Sequence, residues 1–366
     1  MARDEASSLR RGWTTGACAA AAARAAYAAL LTGAFPDPVV IRLPRGQKPS
    51  FPLALAELGD GRARAGIIKD AGDDPDVTHG ATIIADVARA APGTGIRFAA
   101  GEGVGAVTRP GLPLGVGEPA INPAPRAMIS EALADIAEAN GAPAPDVTVT
   151  IAIPGGEALA EKTMNARLGI VGGLSVLGTT GIVVPYSCAS WVHAIHRGID
   201  VARAAGLGHI AAATGTTSER AVQRLYELPD HALIDMGDFV GGTLKYLRGH
   251  PVARLTLAGG FAKMAKLAAG HLDLHSSKSR VDPAMLTMML TAVGADGEAL
   301  AAAGQSDSAG AVLEAAGAWA PALADGVARR AREVALATLS GTTAIEVAIV
   351  DRTGDFLARV GGEARP

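Results

Sequence analysis

"HIAAATGTTSERAVQRLYELPDHALIDMG", residues 209 to 237, reads as an apolar run, a glycine turn, a helix through Leu228 and a second short apolar run. The rhythm returns downstream, where "ARLTLAGG" is followed by "FAKMAKLAAG", and it is preceded by a helical "WVHAIHRGIDVARAAG". Strand, turn and helix in repetition signal a mostly parallel sheet covered by helices. Ligands of such sheets bind beyond the carboxyl ends of the strands. That rule selects Thr214, Gly215, Thr216, Asp235, Gly259 and Gly260 as a candidate binding edge. Asp235 falls about 20 residues after Gly215, the spacing at which an acidic side chain accepts a ribose hydroxyl in Rossmann-like domains. "GTTSE" is not G-x-G-x-x-G, so the spacing alone leaves a plain turn open.

Working outward toward the N-terminus, the pattern changes near residue 190. "VVIRL", "FPLALAEL" and "RARAGIIK", with Gly59-Asp60-Gly61 between the last two, read as short strands and hairpins. "TIIADVARA" is ambiguous between strand and helix, "GIRFAA" and "VTVTIAI" are strands, and Pro125 opens a helix reaching about Asn140. An alanine-rich helix from about Ala17 to Leu31 starts at Thr14 or Thr15 and ends at Gly33. The expected organisation is an α+β domain over 1–190, then a Rossmann-like α/β domain with C-terminal helices over 191–366. At 366 residues the chain is long enough for two cores.

Composition excludes several classes. A net charge of -3, from 33 basic and 36 acidic side chains, lacks the footprint of a nucleic-acid binder. Cys18 and Cys188 stand far apart, without metal-ligand spacing, so neither a disulfide scaffold nor a zinc site is expected. Arg10-Arg11 before an apolar run imitates an export signal, but Arg24 interrupts the run and "TTG" occupies the place of its apolar start. The reading is a cytoplasmic protein without membrane partners; self-association stays open.

"KDAGDDPDVTHG", residues 69 to 80, gathers Lys69, four aspartates and His79 into a loop, since Asp74-Pro75 disfavours helix. It suits a solvated turn, a cation site or a polar active-site loop. The EF-hand pattern is not met, so no metal is expected.

Taken in order, "LRRGWTTGACAAAAA", "KDAGDDPDVTHG", "GEGVG", "GEPAINPAPR", "EKTMNARLGIVGGLSVLGTTGIVVPYS", "GDFVGG" and "HSSKSRVD" resemble the CbiD-type cobalt-precorrin-5B C-1-methyltransferases of cobalamin biosynthesis. The resembling strings run from residue 9 to 282; "NARLGI" has alanine where proline is common in the family, and the segment from Pro283 on carries no matching motif. The resemblance implies methyl transfer from S-adenosylmethionine to a ring-contracted anionic corrinoid precursor. On that reading Asp70, Asp74 and His79 are the catalytic candidates. Arg10, Thr14, Thr15, Lys69, Asp73, Glu102, Glu118, Asn122, Lys278 and Arg280 are candidate substrate contacts. The strand-end residues around Thr214, Asp235 and Gly259 become the donor site.

Two rival functions stay in view. An ATP-dependent small-molecule kinase would use glycine-rich runs such as "GGLSVLGTTG", but no G-x-x-x-x-G-K-[ST] is present and Lys162 precedes the run. A non-catalytic tetrapyrrole carrier would need the basic residues without a donor site.

Overall fold

Thr14 and Gly33 bracket the alanine helix, Thr15–Thr32: the Thr14 hydroxyl accepts the Ala17 N–H at 3.2 Å, and Gly33 ends the helix at φ 80°. Ala17 through Ala23 are each at most 1% exposed, so the helix is buried nearly all round. Methyl side chains let it lie close to its neighbours: a Cβ on Gly16 would come within 2.8 Å of Pro125, on the helix Pro123–Ala139.

The computed structural model describes residues 9–362. These fall in two compact units, Met1–Ser187 and Cys188–Pro366. In the first, the alanine helix packs on a mixed five-stranded sheet. Its spatial order is Leu55–Gly59, Arg62–Ile68, Thr82–Arg89, Val147–Ala152 and Ile96–Ala100. Every pairing is antiparallel except the last. "TIIADVARA" resolves as the strand Thr82–Arg89 because its periodicity is two: Ile83, Ala85 and Val87 are fully buried, while Asp86 pairs with Arg62 and Arg64. The "GGLSVLGTTGIVV" run holds little regular structure and acts as a seam, described below.

The second unit carries a sheet in the order Leu233–Asp235, His209–Ala213, Arg254–Gly260, Ala344–Val350 and Phe356–Val360. The first four strands are parallel and the last is an antiparallel edge. The helix Thr216–Tyr226 covers one face, against Ala211, Ala213, Ala258 and Ala348. On the other face Ile210, Leu255, Leu257 and Val347 join one core with residues of Val240–Gly249, Phe261–Ala268 and Ala320–Leu339.

The C-terminal third is not helices alone. "AIEVAIV" enters the sheet as an inner strand between Arg254–Gly260 and the edge. Its β-branched residues are buried, and the glutamate that interrupts the run is buried with them because four side chains bind it. The chain is a mixed α/β protein with mixed sheets. No helix among the described residues is long and apolar enough to cross a membrane.

Candidate functional site

The acidic loop is pinned between neighbours by backbone contacts. Residues 10 to 13 run beside it: Trp13 N–H donates to Asp70 O at 2.7 Å and Asp73 N–H to Arg10 O at 2.9 Å. Their other edge, Gly12–Trp13, pairs antiparallel with Ile182–Val183. Two glycines permit this approach. A Cβ on Gly12 would lie 2.0 Å from the Ala71 carbonyl carbon, and one on Gly72, at φ +69°, 2.1 Å from Arg10 O.

Each aspartate then has its own partner. Asp70 receives both terminal nitrogens of Arg10, and this bond with the Gly72 N–H holds its carboxyl down at about 2. Asp73 Oδ2 accepts the Arg10 N–H at 2.6 Å. Asp76 Oδ2 lies 2.5 Å from Lys69 Nζ, and its Oδ1 accepts the Thr78 N–H at 2.8 Å. Burial opposes the charge of Asp76, but Lys69 and Thr78 outweigh it and keep the carboxyl below its usual range. Asp74 Oδ1 accepts the Tyr186 N–H at 2.9 Å. Partners, rather than dispersal into solvent, relieve the repulsion among four carboxylates.

His79 is exposed, and its Nδ1 accepts the Ala71 N–H at 3.2 Å. Nδ1 also lies 3.9 Å from Asp70 Oδ1, a contact that would need a proton on that nitrogen. The backbone N–H can only donate, so the neutral ring carries its proton on Nε2. Cys18 lies beneath the loop, and burial pushes its thiol up to about 12, so it is no nucleophile.

The seam from Leu174 to Val183 ties further candidates to the same ribbon. Asn122 N–H donates to Val176 O, Gly16 N–H to Leu177 O and Thr14 N–H to Gly181 O. Thr14 and Thr15 are buried, at 7% and 3% exposure, which places them in helix initiation rather than on the surface. Lys69, at 2% exposure, bonds Asp76 and Thr78 and works inside the loop. Glu118 pairs with Arg126 at 2.7 Å, while Glu102 is exposed.

In the second unit the chain passes from His209–Ala213 to one flank and returns to the other, so the order reverses between His209–Ala213 and Arg254–Gly260. Such a switch point is where crevices form in open α/β sheets. Thr214 and Gly215 continue one flanking strand, and Gly259 and Gly260 end the other. Thr214 N–H donates to Ala258 O at 2.9 Å, and a Cβ on Gly259 would come within 2.7 Å of the Thr214 hydroxyl. Gly215 and Gly260 each precede a helix and face open space. Ala213 and Asp235 are register partners. Lys278 and Arg280 are exposed. No group of three or more His, Cys, Asp or Glu able to hold a metal ion occurs among the described residues.

The CbiD family model matches residues 2–185, and that of the CbiD C-terminal domain matches 273–361. The cobalt-precorrin-5B C(1)-methyltransferase of Brucella anthropi is 58% identical over 357 residues, covering 97% of both chains. That of Paramagnetospirillum magneticum is also 58% identical, over 97% of this chain and 98% of its own. The chain belongs to the CbiD family. A crystal structure of the CbiD cobalamin biosynthesis protein from Archaeoglobus fulgidus is 30% identical, covers 74% of this chain and 83% of that one, and superposes with a TM-score of 0.40.

In this CbiD chain the structure also brings forward side chains that pattern reasoning passed over. Trp191 is 47% exposed; its indole N–H donates to Asp235 O at 3.1 Å, and its ring lies against the bare Cα of Gly237. Tyr186 is 69% exposed at φ 54°. A tryptophan opening a helix and a tyrosine after proline were the available signals, but neither spacing nor charge marked them.

Proposed function

We propose that the chain transfers a methyl group from S-adenosylmethionine to C-1 of cobalt-precorrin-5B, or of its cobalt-free equivalent, in cytoplasmic corrin ring synthesis. The 58% identity across 97% of both chains to a relative named for that C-1 methylation carries the reading. We read the first unit as an α+β domain holding the corrinoid and the second as a Rossmann-like domain holding the donor.

The donor edge suits a nucleoside. Gly215 and Gly260 leave open backbone at the switch point, Asp235 offers a carboxylate for a ribose hydroxyl, and Trp191 adds a flat wall beside it. When bound there, S-adenosylmethionine supplies a methyl carbon activated by its sulfonium charge.

The protein's own work is positioning and proton removal. Orientation of two reactants is worth about 7 to 11 kcal/mol, so no covalent help is required. For C-1 to act as a nucleophile, a proton must leave the macrocycle. Asp70 is held acidic by Arg10, Asp76 is paired with Lys69, and Asp73 is bound to the Arg10 backbone. Asp74 has one oxygen on Tyr186 N–H and the other without a partner among the described residues, and it takes the proton. Lys278 and Arg280 meet substrate carboxylates, with the arginine suited to a bidentate grip.

Titration calorimetry separates this from a nucleotide kinase. S-adenosylhomocysteine binds and ATP does not; saturable ATP binding without S-adenosylhomocysteine binding would overturn the proposal.

A further inference from the structure

We propose that Tyr186 is an aromatic platform for the face of the corrinoid macrocycle, and that Asp74 holds it in place. The proposal rests on the methyltransferase reading and assigns the macrocycle's face a residue that charge matching cannot provide.

Three observations meet at this residue. Among the described residues, Tyr186, Glu227 and Ser340 are the non-glycines with positive φ. Glu227 and Ser340 each cap a helix C-terminus, where left-handed backbone is ordinary. Tyr186, at φ 54°, caps none; it precedes the helix Cys188–Ala204 by two residues. Glycine would adopt this conformation without strain, yet a bulky aromatic occupies it.

Burial does not repay that strain, because Tyr186 is 69% exposed. The conformation is instead held from outside: the Tyr186 N–H donates to Asp74 Oδ1 at 2.9 Å, across 112 positions of sequence. The acidic loop and the tyrosine are therefore one structural unit. Val184, two positions before Tyr186, and Leu177, on the seam, are also exposed apolar side chains, at 49% and 50%.

A corrinoid has two chemistries, a flat conjugated face and a rim of carboxylates. Arginine and lysine serve the rim. An exposed aromatic ring serves the face, by offset stacking. Asp74 thus has two separable roles: one oxygen sets Tyr186 and the other accepts the proton.

Tyr186→Gly tests this without a folding penalty, since glycine relaxes the backbone. Cobalt-precorrin-5B binding is followed by quenching of protein fluorescence. Tyr186→Gly raises its dissociation constant roughly tenfold, while Tyr186→Phe, which keeps the ring, restores it to within about twofold. S-adenosylhomocysteine affinity stays unchanged in Tyr186→Gly, because the ring serves the corrinoid and not the donor. Asp74→Ala, which loses the acceptor, weakens corrinoid binding as Tyr186→Gly does. Asp74→Asn keeps an oxygen for the Tyr186 N–H, so it retains affinity while turnover falls. Wild-type affinity in Tyr186→Gly overturns the platform, as does a variant whose only change is loss of self-association in sedimentation. A wild-type protein that binds no corrinoid overturns the methyltransferase reading and the platform with it.

Discussion

Lys69 Nζ lies 2.5 Å from Asp76 Oδ2 and 2.5 Å from Thr78 Oγ1, with 2% of the lysine exposed. The acidic loop therefore stands on a buried ammonium. Removing one member of a buried pair leaves the other uncompensated, so Lys69→Met should lower stability by about 2 to 4 kcal/mol, less than a fully dry pair because water reaches Asp76. Urea unfolding measures this, and adding Asp76→Asn should recover part of the loss. Asp76 is depressed in the folded state, so its contribution is present above the unfolded value of about 4 and fades as pH falls through the folded one.

A second buried charge makes stability depend on pH. Glu346 is fully buried and takes bonds from Tyr226, Arg254, Thr256 and Arg359. His209 Nε2 lies 2.9 Å from Thr256 Oγ1. Burial, assisted by Arg254 and opposed by Glu346, pushes His209 down from 6.5 to about 4. Between those values the unfolded chain binds more protons, so stability falls as pH drops from 6.5 toward 4. His209→Gln should flatten that slope in denaturation curves collected across the window; an unchanged slope assigns it to other groups.

Much of this architecture was legible from local pattern. Thr14 and Gly33 announce the ends of a helix whose composition is almost pure alanine, and the glycine turn at 59 to 61 announces a hairpin. The parallel strands of the second unit follow from "HIAAAT" and "ARLTLAGG". The inner strand Ala344–Val350 escaped because its neighbour, Arg254–Gly260, lies about 90 positions earlier and no local signal reports that pairing. At the loop, composition marked a cluster of carboxylates but could not say which were committed. Arg10 and Tyr186 come from 60 and 112 positions away, and Lys69 looks from sequence like any surface lysine.

If the donor binds at the strand-end edge as proposed, Asp235→Ala should weaken S-adenosylhomocysteine binding by about 1 to 3 kcal/mol, the cost of a lost charged hydrogen-bond partner. Trp191→Ala should cost about 0.5 to 1.5 kcal/mol through the lost aromatic wall. Calorimetry on folded variants decides; unchanged affinity in both moves the donor to the glycine-rich run at 172 to 181.

Charge reversal at Arg280 should raise the corrinoid dissociation constant and reduce its salt dependence, because one screened attraction to a carboxylate is removed. Donor affinity should hold. Equal loss of both affinities would indicate a folding defect.

Asp74 as proton acceptor makes a kinetic demand. Asp74→Asn should lower the single-turnover rate about 100-fold or more at saturating corrinoid, the range for lost general-base help, with little change in binding. A rate near wild type would move the proton to another group.

The most direct measurement of the central claim is transfer of an isotopically labelled methyl group. Purified protein is incubated with cobalt-precorrin-5B and S-adenosylmethionine carrying labelled methyl, with EDTA present, and the product is located by NMR. The account predicts one labelled methyl on C-1 and stoichiometric S-adenosylhomocysteine, unaffected by the chelator. Label on another carbon, or none in the macrocycle while the corrinoid remains bound, would contradict it.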